Sequence, residues 1–436
     1  MARRTEPQTQ MSWRFSPRQL FAMYWWTDPR LSHAVGFVAD GTVRSGKTVA
    51  CSLGFLMWSM ESFSGVRFGL CGKTVKSFER NVLSVMKAAM PYLGYTCHHN
   101  KSDSMLQVVS PRGAHNDYYI FGGNDEGSQD LIQGITLAGI LFDEVVLMPE
   151  SFVNQGIARC SVDGAKVWMN CNPEGTTHYI KRRFIDAYAQ RGYIHSHFDM
   201  RDNLTLSPER RAFYASQWTG LFYRRFILGE WCLADGLVYQ VFDRDRMTFS
   251  GPVDLSLYHE LIVAYDYGIQ NATAFLAMGY NGKEGTVDVV KGWSYSGRET
   301  MVQKTDDELY GDLEAFIGDL PVTRIYGDPS ATSFHAVIRK KRRWRDCDAD
   351  NDVLGGIGFV SQLMSLGQLR VHTSCVDLVR ELAGYAWDSE KSEREGRDVV
   401  LKVDDHSCDA LRYGLYTHFR PKARAYRLGY YKIEED

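Results

Sequence analysis

The chain has 436 residues, with 50 Lys and Arg against 53 Asp and Glu, a formal net charge of −3. Its 44% hydrophobic and 24% charged residues are ordinary globular usage, which excludes a fibrous or mostly disordered chain and leaves room for two to three domains of roughly 150 residues. No uncharged apolar stretch reaches about 18 residues, the arginines of the first ten positions have no apolar run behind them, and so neither a membrane span nor a secretory leader is expected. The nine cysteines form no Cys-x-x-Cys pair, which argues against a zinc site or thioredoxin-like motif and for a reducing compartment. Net charge alone gives no reason to expect a strong pull toward nucleic acid.

The first ~235 residues alternate short apolar runs with helical segments, the pattern of a parallel α/β domain. Strands are expected at 34–39, 66–71, 118–121, 139–142 and 165–170, each bordered by Gly, Asp or Asn. A helix is expected over 73–90, stopped by Pro91. Ser207-Pro208 offers an N-cap followed by Pro at the first helical position, and the Arg- and aromatic-rich segment that it opens, through Trp231, reads as a small helical subdomain. The polar stretch 236–252 reads as a linker. Beyond it come three strand-like runs at 261–265, 273–278 and 287–293, with an Asn281-Gly282 hairpin turn. A helix over 299–317 and a strand over 322–326 follow.

Gly41-Thr42-Val43-Arg44-Ser45-Gly46-Lys47-Thr48 fits the phosphate-binding pattern Gly-x-x-x-x-Gly-Lys-[Ser/Thr] at every fixed position. Gly41 and Gly46 let the backbone of this loop, with Arg44 and Ser45, curl around phosphates. Lys47 is placed to reach the β- and γ-phosphates, and the Thr48 hydroxyl to ligate Mg²⁺. A chance match in a chain of this length occurs on the order of a few percent of the time. The motif calls for an apolar strand ending in an acid, and Gly-Ile-Leu-Phe-Asp143-Glu144 supplies it. Asp143 would hold the metal through water and Glu144 would polarise the attacking water, as in an NTP hydrolase; alternatively two adjacent acids begin a surface turn. Asn172 is placed to sense a γ-phosphate, or belongs to a structural Asn-Pro turn. Gln19 either reads adenine or is a solvated helix residue. Arg44 could stabilise transferred charge, a role that an arginine from a neighbouring subunit could equally fill.

In the second half Asp266 and Asp328 end strand-like runs, and Asp405-His406-Ser407-Cys408-Asp409 opens a helix expected to reach His418. Positions 406 and 409, and 405 and 409, share a helix face. Carboxylates from two strand ends and a helix can hold two divalent ions ~4 Å apart for phosphodiester cleavage, and three strands, a helix and a strand match an RNase H-like domain. Each acid alone is more commonly a surface residue or a cap, and His406 has the same alternative. The run 339–345 holds six cations in seven positions. It reads as a DNA-backbone contact or as a solvated helix end balanced by the acidic stretch 346–352. Residues 388–403 suggest an exposed hairpin beside Asp405 that gates the acidic site or is a decorated turn.

Taken in order, DGTVRSGKT, ILFDEV, NCNPEG, LFYRRFILGEWCLADGLVY, AYDYG, YGDPS and DDHSCDALRYG resemble the large terminase subunit of tailed double-stranded DNA bacteriophages, over nearly the whole chain. The resemblance implies an ASCE-type ATPase core over 1–200, a helical and linker subdomain over 201–250, and an RNase H-like nuclease domain over 251–436. It implies ATP-driven translocation of double-stranded DNA and metal-dependent endonucleolytic cleavage of concatemers. The carried-over residues are Lys47 and Thr48, Asp143 and Glu144, Asn172, and the metal positions Asp266, Asp328, His406 and Asp409. Many relatives place an acid where His406 stands, and Asp405 is a further candidate ligand. The implied cofactors are ATP with Mg²⁺ and two nuclease ions, Mg²⁺ or Mn²⁺. The implied partners are DNA, a portal protein, a small terminase subunit and further copies in a ring docked on the procapsid in the host cytoplasm. A helicase-like or repair ATPase fused to an RNase H-like nuclease is an alternative, as is a nucleotide-switched assembly factor with a silent nuclease domain.

Overall fold

The computed structural model describes residues 13–268, 272–423, 426 and 428. The chain folds as two compact units. The first holds the chain up to Ala212 with Tyr223–Leu233 and Glu393–Arg397; the second holds Phe213–Phe222, Ala234–Ser392 and the chain from Asp398. The Arg- and aromatic-rich segment expected as one subdomain is thus divided between them.

The first unit is built on eight strands: β1 (Gly36–Gly41), β2 (Arg67–Gly72), β3 (Thr96–Asn100), β4 (Met105–Val109), β5 (His115–Gly122), β6 (Gly139–Phe142), β7 (Lys166–Asn170) and β8 (Tyr193–Phe198). They lie in the order β3-β4-β5-β2-β6-β7-β1-β8. The pairs from β5 through β8 are parallel, and β3-β4-β5 form an antiparallel edge. The central strands are buried along nearly their whole length, as parallel strands covered on both faces must be. The five expected strands are present. β3, β4 and β8 were not expected, because β3 is polar and exposed and β8 carries two histidines among its apolar residues.

The helix Lys47–Ser62 follows β1 and is buried on almost every face from Ala50 to Met60, so its stability comes from packing rather than from an amphipathic stripe. Trp58 on this helix meets Trp168 of β7 at 4.9 Å between ring centroids, and Trp25 meets Trp168 at 5.1 Å. The helix expected to stop at Pro91 instead runs through it to Leu93. Pro91 removes only one N–H, and the helix ends three residues later where Gly94, at φ +70°, donates back to Met90 and Pro91.

The second unit has seven strands: β9 (Thr248–Phe249), β10 (Tyr258–Asp266), β11 (Ala272–Asn281), β12 (Thr286–Ser296), β13 (Val322–Gly327), β14 (Arg345–Asp348) and β15 (Leu369–His372), ordered β14-β13-β10-β11-β12-β15-β9. β10-β11-β12 is antiparallel, while β13, β14, β15 and β9 join in parallel. The expected linker therefore contributes an edge strand, β9. The turn is longer than an Asn-Gly pair: Asn281 remains in the ladder opposite Thr286 and its side chain accepts from the Lys283 and Glu284 amides. The helix expected over 299–317 is two pieces, Gly297–Thr300 and Asp306–Ile317, the second opened by a Thr305/Glu308 capping box.

Along β10 the residues alternate. Leu261, Val263 and Tyr265 pack into a core with Leu309, Leu313, Phe316 and Ile338. Ile262, Ala264 and Asp266 are therefore turned to the opposite face, where the helix His406–Gly414 lies against β10 and β11. Residues 388–403 do not form a hairpin of two strands. They loop out through a short helix, Ser389–Glu395, closed by the Trp387–Val400 bridge.

Candidate functional site

In the first unit the candidate phosphate loop leaves β1 and enters the helix Lys47–Ser62 through Gly46, at φ +82°. A Cβ at Gly46 would stand 2.1 Å from Gln19 Nε2, so both backbone and space demand glycine. Lys47 folds back over the loop: its Nζ donates to the carbonyls of Thr42 at 2.7 Å and Gly41 at 3.1 Å, and to Asn172 Oδ1 at 3.0 Å. Burial lowers its ammonium to about 8. Thr48 Oγ1 donates to Asp143 Oδ1 at 3.1 Å. Burial, with the charge of Glu144 beside it, pushes the Asp143 carboxyl up to about 7. Glu144 takes a left-handed backbone, φ +56°, and burial raises its carboxyl too.

The structure thus gathers Lys47, Thr48, Asp143, Glu144 and Asn172 at the ends of β1, β6 and β7, with β7 lying between the other two. Loop N–H groups can take phosphate oxygens, Lys47 can follow them, and Thr48 with Asp143 presents oxygens suited to Mg²⁺. Arg44, exposed and at φ +59°, lends its carbonyl to Asn203 Nδ2 at 2.9 Å. Ser45 Oγ donates to the Thr42 carbonyl.

Gln19 is 3% exposed, not solvated. Its Oε1 accepts the Ser16 N–H at 3.0 Å and its Nε2 donates to the Ser45 carbonyl at 3.0 Å. Both ends of the amide have partners within the chain, and Gln19 acts as a strut from the capping box of the helix Pro17–Tyr24 to the loop.

Sequence reasoning missed Asp40, the residue immediately before the loop. Its buried carboxylate accepts from His195 Nε2 at 2.8 Å, His197 Nδ1 at 3.0 Å and Trp231 Nε1 at 2.7 Å. Burial alone would raise Asp40, but the histidine hydrogen bonds hold it well below the usual carboxylate range, and the same contact raises His197. The one available signal was His-Ser-His, whose period of two puts both rings on one face of a strand.

In the second unit, Tyr265 on β10 stands opposite Gly327 on β13. A Cβ at Gly327 would lie 2.0 Å from the Tyr265 ring, so this glycine lets the strands align and Asp266 and Asp328 leave adjacent ends. His406 Nδ1 is 2.8 Å from Asp266 Oδ2. Burial would lower this imidazole, but the Asp266 contact raises it. Asp409 Oδ1 accepts from Arg412 Nη2 at 3.0 Å, and its Oδ2 from Lys402 Nζ at 2.6 Å. Lys402 Nζ is also 2.8 Å from Asp405 Oδ2. Asp328 accepts from the Tyr413 hydroxyl at 2.6 Å and from Asn351 Nδ2 at 3.1 Å. Glu381, unremarked in the sequence, accepts the Ser407 and Cys408 amides that open the helix, and burial pushes it up to about 7.

Asp266 and His406 are therefore joined, Asp405 and Asp409 share an ammonium, and Asp328 is held by other partners. Among the described residues no three His, Cys, Asp or Glu side chains are grouped tightly enough to hold a metal ion. The donor chemistry, carboxylates with one imidazole, still suits a divalent ion, and Lys402 already places a cation between two of the carboxylates. Half of the basic run is paired: Arg339 bonds Asp346 and Asp348 at 2.7 and 2.6 Å, Lys341 lies 3.6 Å from Asp307, and Arg343 is 3.0 Å from Glu314.

A family model described as terminase large subunit, T4likevirus-type, N-terminal, matches residues 41–246. The large terminase of the thermophilic bacteriophage D6E has a similar structure, with a TM-score of 0.88 and 42% identity over 93% of this chain and 100% of that chain. The ADP complex of the same D6E protein matches with a TM-score of 0.85 at 42% identity and the same coverage. The terminase large subunit of Escherichia phage T5 is 27% identical over 165 residues, 37% of this chain. That alignment spans 36% of the T5 protein's length.

Proposed function

The chain belongs to the large terminase family, and from this premise we propose that it uses ATP hydrolysis to drive viral double-stranded DNA into a procapsid and cuts concatemeric DNA with a metal-dependent nuclease. The observation that carries the ATPase reading is the pair of contacts Lys47–Asn172 and Thr48–Asp143, which brings two further motifs to the phosphate loop. The binding of ADP by the similar D6E protein supports the same reading.

On this reading the loop amides from Gly41 to Thr48 receive the phosphates, and Lys47 exchanges its two backbone carbonyls for phosphate oxygens. Mg²⁺ held by Thr48 and Asp143 would neutralise phosphate charge. Glu144 orients the attacking water and accepts its proton, while Asn172, bonded to Lys47, registers whether a γ-phosphate is there. Gln19 keeps the loop in shape from beneath.

The second unit supplies the nuclease, read as RNase H-like from its three antiparallel strands flanked by parallel ones. Asp266, Asp328, His406 and Asp409 would hold its divalent ions, with Asp405 as a neighbour. Such ions activate water and stabilise the leaving oxygen of a phosphodiester. Glu381 fixes the start of the helix that presents His406 and Asp409. Double-stranded DNA, a portal protein, a small terminase subunit and further copies of this chain in a ring are the proposed partners, met on the procapsid in the host cytoplasm. Among the described residues no helix is long and apolar enough to cross a membrane.

Two assays on the full chain test this. Lys47→Ala is expected to abolish ATP hydrolysis and leave plasmid nicking with Mn²⁺ intact, and Asp266→Ala to do the reverse. Absent nicking in wild type and Asp266→Ala alike would favour an assembly factor with a silent second unit.

A further inference from the structure

Asp409 is held in two unlike ways. Its Oδ1 faces Arg412, which donates from Nη2 at 3.0 Å and Nε at 3.3 Å. Arg412 is 1% exposed, and its stem is closed in by Gly356, where a Cβ would lie 2.4 Å from Arg412 Cγ. This is a fixed clamp on one oxygen. The other oxygen, Oδ2, faces Lys402 Nζ at 2.6 Å, and the Lys402 side chain is 55% exposed.

Lys402 lies outside any helix or strand, between the Trp387–Val400 bridge and the helix His406–Gly414. Asp404 takes a left-handed turn, φ +49°, and this reversal returns the lysine over the helix start. There its ammonium sits between Asp405 and Asp409, one helical turn apart, at 2.8 and 2.6 Å. Asp405 Oδ2 is buried, and the ammonium at 2.8 Å supplies the opposite charge beside it. A divalent ion arriving at Asp409 Oδ2 meets the ammonium already held there, and the repulsion between two cations so close sets them in competition for that oxygen.

We infer that Lys402 is a built-in plug of the nuclease site: its ammonium occupies the cation position between Asp405 and Asp409, and it must swing out before Asp409 can receive a metal ion. The inference rests on the proposed metal role of Asp409. Arg412 keeps the carboxylate aimed while Lys402 leaves, and the exposed stem gives the lysine somewhere to go. The plug is a threshold and not a lock, because the lysine end of the pair is open to solvent although both carboxylates are buried. It makes metal loading a competition between an external ion and one the chain carries itself.

Mn²⁺ binding to the full chain, followed by the electron paramagnetic resonance of free Mn²⁺, tests the inference. Lys402→Met keeps the stem and removes the charge, and is expected to bind Mn²⁺ about fivefold more tightly than wild type. Lys402→Arg keeps the charge and should stay within about twofold of wild type. Asp409→Asn should weaken binding. Unchanged or weaker Mn²⁺ affinity in Lys402→Met, with Asp409→Asn still impaired, would overturn the plug and leave the metal reading standing. Mn²⁺ affinity untouched by Asp409→Asn would overturn the metal reading, and the plug with it. Lost nicking in Lys402→Met at saturating Mn²⁺, with affinity equal to wild type, would make Lys402 part of the cleavage machinery and also refute the plug.

Discussion

Lys47 is buried among carbonyls of its own loop, and burial lowers its ammonium to about 8. A phosphate placed against it reverses that effect by favouring the charged form. The sign follows directly: above pH 8 the lysine is partly neutral before nucleotide arrives and charged afterwards, so binding takes up protons. Titration calorimetry with ADP at pH ~8.5, in buffers of different ionisation enthalpy, should show proton uptake that fades by pH ~7 and is lost in Lys47→Met. Heat independent of the buffer at the higher pH would argue against phosphate contact by Lys47. Gln19→Ala removes half of a capping box and the tie to Ser45, and should cost about 1–2 kcal/mol in urea unfolding. At this scale the sequence was most legible where chemistry is local. The loop residues carry their spacing with them, whereas Asp40 and Glu381 gain their partners only when remote segments meet.

At the scale of elements, strands read as short apolar runs were visible because burial on both faces leaves no other composition. β3 was hidden because an exposed antiparallel edge can be polar. Pro91 misled because it costs the last turn a single bond, and the Gly94 cap, donating to Met90 and Pro91, closes the helix just beyond it. The basic run was ambiguous for a different reason: Asp307 and Glu314, which balance two of its members, come from another helix. Asp40 is where three elements of the first unit are tied, since β1 carries it, β8 brings both histidines, and the segment after Ile227 brings Trp231. Asp40→Ala strands three donors and should destabilise the first unit by about 3 kcal/mol or more. Trp231→Phe removes one donor and should cost nearer ~1 kcal/mol. Urea unfolding followed by tryptophan fluorescence compares the first with wild type, and a helical circular dichroism signal serves for Trp231→Phe. Equal effects of the two substitutions would mean that Asp40 is not the shared anchor.

At the scale of the whole molecule, a net charge of −3 is a sum over charges paired locally, as Arg339 with Asp346 and Asp348 and Arg225 with Glu174 demonstrate. It therefore says little about polyanionic partners, and a motor that must release DNA at every step gains from grip that is local rather than from a uniformly basic face. The proposal assigns one activity to each compact unit, so the two should fail independently. The most direct measurement is encapsidation of duplex DNA into purified proheads, read as nuclease-protected DNA with ATP present. Wild type and Asp266→Ala are expected to protect DNA, and Lys47→Ala to protect none. Protected DNA at the wild-type level with Lys47→Ala would contradict the assignment of this loop as the engine of translocation.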